Sequence, residues 1–263
     1  MYLYNSVFFN KAKNMNYKPI LLFILLLFIL PINAQKNQII KDSLLVEMTK
    51  AINNNSYKGI DAVLIAKGNN LHFEEYFGGF KKDSLHDSRS SFKSVTSLLI
   101  GIAIDKGFIK NVNQKVYEFF PENVSFKTDP LKRKMTVKDL LEMKSGIDCE
   151  EFNETKVCED DMSLSSDWLS FSLDLPMKTE PGTLWSYSSI DPMICSGIIA
   201  RATHMSVVDF AKKYLFQPLG ISNYKWTIDP SGNAMTDSRI VFYFAKRYAE
   251  NWTIGKKWRK TKQ

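Results

Sequence analysis

Ser90 and Lys93 stand three residues apart at the head of a long apolar run, R-S-S-F-K-S-V-T-S-L-L-I-G-I-A-I-D-K-G, from Arg89 to Gly107. Three residues make close to one helical turn, so on a helix the two side chains share a face. A hydroxyl and an amine placed in this way can do nucleophilic chemistry: the amine takes the proton and the oxygen attacks a carbonyl. The start of a helix favours that reaction, because its open backbone N–H groups and its dipole stabilise a developing oxyanion. The same pattern also describes a helix N-cap followed by a solvated lysine. Ser222 and Lys225 show how little the spacing means alone, since they match S-x-x-K after Pro218, Leu219 and Gly220 with no long apolar helix following.

The elements that must position this pair are legible around it. Val95, Leu98, Leu99, Ile102 and Ala103 recur at helical spacing in a run apolar enough to predict a helix buried in a core, and Gly107 is a natural stop. Upstream, residues 42–52 have a helical pattern. Ala62 to Ala66 and Leu71 to Tyr76 predict two strands joined at Gly68-Asn69-Asn70, a hairpin composition. A hairpin beside a buried helix implies a sheet with helices packed on it. Downstream, Val116 to Phe120 is a short amphipathic piece, and Thr136 caps a helix, T-V-K-D-L-L-E-M-K-S-G, with Leu140, Leu141 and Met143 facing inward. The chain between Cys158 and Met177 is polar, anchored by Trp168, Leu169 and Phe171. Pro181-Gly182-Thr183 then makes a turn, and Trp185-Ser186-Tyr187-Ser188-Ser189 leads into an apolar helix from Met193 to Ala202. A tyrosine at such a loop either packs at an interface or presents its hydroxyl to a site. A further helix from Val207 to Leu215 is closed by Phe216 to Ile221.

The N-terminus reads differently. Lys11, Lys13 and Lys18 precede an apolar run from Ile20 to Leu30, and Ala34 offers a cleavage point, which predicts a secretory signal peptide over residues 1–34. The run is short for a membrane span, and an uncleaved anchor in the inner membrane is the alternative. The expected place of the protein is therefore periplasmic or secreted. Cys149 and Cys158 bracket an acidic stretch, E-E-F-N-E-T-K-V, and could bridge in an oxidising compartment; Cys195, in an apolar helical run, reads as a small buried residue. The formal net charge of +7 has its source in the last residues: from Arg239 to Gln263 eight basic residues face Glu250 alone. Without that tail and the three signal lysines the body is slightly acidic, which argues against a nucleic-acid partner. There is no glycine-rich phosphate loop, and the His and Cys residues are too scattered for a metal, so no cofactor is expected.

The order of the motifs carries a resemblance. S-x-x-K opening a helix, T-V-x-x-L-L-x-M-x-S-G about forty residues on, P-G-T-x-W-x-Y-S-S, and Y-L-F-x-P-L-G-I together resemble the serine β-lactamase-related family of class C β-lactamases, DD-peptidases and related esterases and amidases. The resemblance runs from about Ile60 to Thr236. It implies an α/β sandwich of the β-lactamase/transpeptidase-like type, an antiparallel sheet with flanking helices and an all-helical subdomain inserted after the nucleophile helix. It implies Ser90 as the acylated nucleophile, Lys93 as its general base and Tyr187 as the group relaying a proton to the leaving group. Ser189 stands where many relatives have asparagine, as a substrate-binding group, which favours ester or amide hydrolysis over antibiotic hydrolysis. The histidines at 72, 86 and 204 sit in no such motif, so a Ser-His-Asp site finds no support. The implied activity is that of an exported serine hydrolase acting on a small-molecule or peptide substrate through an acyl-serine intermediate.

The end of the chain departs from the family. Relatives continue with a helix and a strand bearing K-T-G or H-x-G, whereas Lys260-Thr261-Lys262 lacks the glycine and reads as chance. Reverse translation of Arg247 to Arg259, shifted by one base, yields D-M-L-K-I-G-Q-L-V-K-N-G, similar to the family's next segment. The expectation is a serine β-lactamase-related domain over residues 35–238 whose last strands are missing, followed by a disordered, out-of-frame basic tail over residues 239–263. Loss of an oxyanion donor typically costs about 100- to 1,000-fold in rate. An impaired hydrolase, an inactive truncated product and a non-enzymatic envelope binding protein are the three readings this leaves.

Overall fold

The computed structural model describes residues 43–67, 70–149, 151, 158–236 and 240–242. The proposed signal segment lies outside them. Two compact units separate at Ile60. In the first, residues 43–53 form helix α1, close to the range its pattern predicts.

The second unit begins with the expected hairpin. Strands β1 (Ala62–Lys67) and β2 (Asn70–Tyr76) pair antiparallel, Ala62 opposite Tyr76, with a break in register between Ile65 and Ala66. A second antiparallel sheet has the order β3-β5-β4, from β3 (His86–Asp87), β4 (Tyr224–Trp226) and β5 (Ile240–Phe242). β5 is the middle strand, its backbone pairing with β3 and β4 on either side. These three residues belong to the stretch expected as disordered tail. The remainder of that stretch, residues 243–263, lies outside the described residues.

Helix α2 (Phe92–Asp105) follows β3 through a 3-10 turn, Arg89–Ser91. Gly107 ends it as expected, with φ 77° and the Phe108 N–H donating to the Ala103 carbonyl at 2.9 Å. Burial all round is not observed among the described residues. Phe92, Thr96, Leu99, Ile100, Ile102 and Ala103 are buried, while Leu98 is half exposed beside exposed Ser94, Ser97 and Gly101. The reason is in the spacing, because those four residues fall on the stripe opposite the core and three of them are too small to add much apolar area.

The helix buried on every side is α7 (Ile190–Thr203), in which eleven of fourteen residues are buried. The intervening helices are α3 (Ser125–Thr128), α4 (Val137–Leu141), α5 (Cys158–Leu164) and α6 (Trp168–Asp174), and α8 (Val207–Ala211) follows α7. Helices α2, α4, α6 and α8 all pack on α7. Close approach of α6 is permitted by Gly197, where a Cβ would fall 2.5 and 2.7 Å from the Leu169 methyls. Thr136 caps α4 in a full capping box with Asp139. The segment before β5 is threaded between α2 and α7: Thr96 Oγ1 donates to the Thr236 carbonyl and Thr236 Oγ1 to the Pro192 carbonyl, each at 2.7 Å. Trp226 of β4 meets Phe92 edge-on at 5.1 Å, which ties the second sheet to the head of α2. Antiparallel sheet, flanking helices and a helical insertion between α2 and α7 make up the β-lactamase/transpeptidase-like fold.

Candidate active site

Ser90 sits in the 3-10 turn that joins β3 to α2, and it is exposed. The residue before it, Arg89, has φ 46°, a conformation a non-glycine residue holds only when its surroundings enforce it. Asp87 does this: Oδ1 accepts from the Arg89 N–H at 3.0 Å and Oδ2 from the Arg89 guanidinium at 2.9 Å. Lys93 lies on the first turn of α2, half buried, with Nζ 3.5 Å from Ser90 Oγ. That is the outer limit of a hydrogen bond, a common state for catalytic pairs before substrate arrives.

Tyr187 and Ser189 reach Lys93 from the other side. Nζ donates to Ser189 Oγ at 3.1 Å and lies 4.8 Å from the centre of the Tyr187 ring, a cation–π contact. The loop that carries them is fixed by backbone bonds to the end of α4: Gly182 N–H donates to the Lys144 carbonyl at 2.8 Å and Ser186 N–H to the Met143 carbonyl at 3.0 Å. Division of labour between neighbouring serines completes the geometry. The Ser188 hydroxyl accepts from the N–H groups of Ile190 and Asp191 at 3.1 and 3.2 Å, capping α7 and leaving the Ser189 hydroxyl for Lys93.

All four residues singled out in the sequence are thus brought together. Ser222 and Lys225 are not: Lys225 lies on β4, paired with Val241 of β5. A fifth group joins the site that no motif announced. The Glu151 carboxylate accepts from the Ser189 N–H, and the Ser189 side chain lies beside it. Burial pushes its carboxyl above the usual range, against the Ser189 bonds and the Lys93 charge that pull it down. Cys149 and Cys158, two residues before Glu151 and seven after, form a disulfide. Nothing in the acidic stretch E-E-F-N-E-T-K-V marks this carboxylate out from its neighbours.

A pocket of about 240 Å³ opens between Ser145–Cys149 and the loop residues Leu184, Trp185, Ser186 and Ser188, with Leu184 and Trp185 largely exposed at its edge. Among the described residues no three His, Cys, Asp or Glu side chains gather as a metal site.

The sequence model of the Beta-lactamase family matches residues 58–240, which contain every group of this site. The chain belongs to the beta-lactamase family. Solved structures share its fold at low identity. A protein of Bacteroides dorei DSM 17855 assigned as a beta-lactamase is 19% identical, with TM-score 0.64, over 81% of this chain and 62% of its own. The octameric penicillin-binding protein homologue of Pyrococcus abyssi is 18% identical, with TM-score 0.61, over 81% and 56%. The beta-lactamase/D-alanine carboxypeptidase of Yersinia pestis is 15% identical, with TM-score 0.55, over 73% and 61%. The beta-lactamase family chain spans about three fifths of the length of each. A search of curated protein sequences found no match.

Proposed function

We propose that this beta-lactamase family chain is an exported serine hydrolase that cleaves an ester, amide or peptide through an acyl-serine intermediate. The observation that carries the reading is the convergence on one amine, Lys93 Nζ, of Ser90 Oγ, Ser189 Oγ and the Tyr187 ring. Lys93 in its neutral form takes the proton of Ser90 Oγ while that oxygen bonds to the substrate's carbonyl carbon. The resulting oxyanion faces the start of α2, where N–H groups and dipole stabilise it. The bond to the leaving group then breaks, and the proton held by Lys93 passes through the Tyr187 hydroxyl to that group. Water repeats the sequence on acyl-Ser90: its proton moves to the same groups, the Ser90–acyl bond breaks and Ser90 Oγ regains a proton.

The pocket lined by Ser186 and Ser188, which flank Tyr187 in sequence, would take a substituent of the substrate, with Leu184 and Trp185 as its apolar edge. Ser189, shorter than an asparagine, favours ester and simple amide substrates over β-lactams. Export is supported by the signal-like N-terminus and by the Cys149–Cys158 disulfide, a bond of oxidising compartments.

A fluorophosphonate probe tests the reading. The expected result is one adduct per chain on the peptide containing Ser90, absent from Ser90→Ala and slowed about 100- to 10,000-fold in Lys93→Ala. A folded wild-type protein that takes up no probe, or takes it up equally well as Ser90→Ala, overturns it.

A further inference from the structure

We propose that Glu151 is a positioning residue for the Ser90–Lys93 pair, acting through the hydroxyl of Ser189; this rests on the acyl-serine reading above. Four groups form one chain of contacts: Glu151 carboxylate, Ser189 hydroxyl, Lys93 Nζ and Ser90 Oγ. A serine hydroxyl can accept from an amine and donate its own proton through the same oxygen, whereas an asparagine amide accepts and donates on different atoms. The Ser189 hydroxyl has one proton to give, and the carboxylate beside it is an acceptor in reach. This turns a Ser189 lone pair toward Lys93 and holds Nζ against Ser90. The Ser189 N–H bond to the same carboxylate fixes the backbone at that point. An acidic residue in a loop otherwise remote in sequence, 38 positions from Ser189, thereby becomes part of the nucleophile's support.

Charged groups from three elements face Glu151. Lys93 from α2 favours its ionised form, and Glu159 from α5 disfavours it. Asp191 from α7 is close enough to be pushed up by Glu151 in turn. Removing the carboxylate leaves the amine less well aimed at Ser90, so the loss falls on the chemical step. A merely structural role for Glu151 lowers stability without a loss confined to that step.

The experiment measures the rate constant of fluorophosphonate labelling at one fixed pH on the full chain. Wild type, Glu151→Gln, Ser189→Ala and the double variant are compared, each checked for cooperative thermal unfolding. Glu151→Gln is expected to lower the rate constant about 10- to 100-fold, the range for one hydrogen bond to a charged group. The double variant is expected to be no slower than Ser189→Ala, as for residues acting in series. With p-nitrophenyl acetate the loss falls on kcat rather than KM. An unchanged rate for Glu151→Gln, or losses that multiply in the double variant, overturns the proposal. If Glu151→Gln does not fold, Glu151→Ala is assayed in its place, with the same loss expected and the same outcome overturning the proposal. Wild type that labels normally while Glu151→Gln is unaffected rejects this inference only; wild type that never labels at Ser90 rejects the hydrolase reading and this inference with it.

Discussion

Asp191 is fully buried at the start of α7, and no hydrogen bond of ordinary length reaches either carboxylate oxygen. Burial pushes its carboxyl up to about 7, only partly offset by the Ser145 and Ser188 groups beside it, and the Glu151 charge pushes the same way. The consequence for stability has a definite sign. A carboxyl raised above its unfolded value favours folding fully at low pH, and that contribution is lost as pH climbs from about 4 through about 7. Asp191→Asn removes the ionisation, so the stability difference between it and wild type is expected to shift in its favour across this window by an order of a few kcal/mol and then level off, read as a growing difference in thermal midpoint. Parallel melting curves at pH 4, 5.5, 7 and 8 check this, and a constant gap between the two proteins would contradict it. Cys195, one helical turn further on, is likewise buried, and its thiol is pushed up by burial first and by Asp191 second. It is therefore expected to react with thiol reagents only on unfolding.

At the scale of elements, the turn after α4 does more than end a helix. Gly146 has φ 79°, its carbonyl accepts from the N–H groups of Lys178 and Thr179 at 2.8 and 3.1 Å, and a Cβ there would lie 2.3 Å from the Thr179 carbonyl oxygen. No side chain can yield, because both partners are backbone. Gly146→Ala is expected to cost at least about 2 kcal/mol from the left-handed conformation and the collision together, read as a lower denaturant midpoint. It should also disturb the Leu184–Ser188 loop that closes the neighbouring pocket.

Helices α2, α4 and α7 were legible because a cap, a stop or apolar spacing marks each: Gly107, Thr136, and the apolar run from Met193 to Ala202, which the structure extends to Ile190–Thr203. Helices α5 and α6 were not. C-E-D-D-M-S-L buries just Cys158 and Met162, and its acidic first turn reads as a loop until the disulfide and the Asp167 cap of α6 are known. Strand β5 was hidden for another reason: a three-residue strand supplies almost no periodicity, and the basic composition that follows outweighed it.

For the molecule as a whole, the site depends on segments far apart in sequence being held by one buried helix. Ser90 and Lys93 come with α2, Tyr187 and Ser189 with the head of α7, and Glu151 with a loop tied by a disulfide. The first four were found from motif and spacing. Glu151 was invisible because the E-E-F-N-E-T-K-V stretch gives no rule for which carboxylate turns inward; tertiary structure alone decides it. The disulfide closes a loop with a sequence separation of 9. By loop-closure entropy its removal in Cys149→Ser/Cys158→Ser is expected to cost about 2–3 kcal/mol. Loosening Glu151 at the same time, it should also slow labelling of Ser90 beyond what the lost stability explains, a difference seen by assaying well below the melting temperature.

The central claim is that Ser90 becomes covalently acylated with Lys93 as its base, and the most direct measurement is the pre-steady-state burst with p-nitrophenyl acetate followed by acid quench and peptide mass mapping. The expected result is a burst approaching one p-nitrophenol per chain, with an acetyl group on Ser90, and no burst from Ser90→Ala or Lys93→Ala. Linear product release from folded wild type, or acetyl found on another residue while Ser90 stays unmodified, would contradict it.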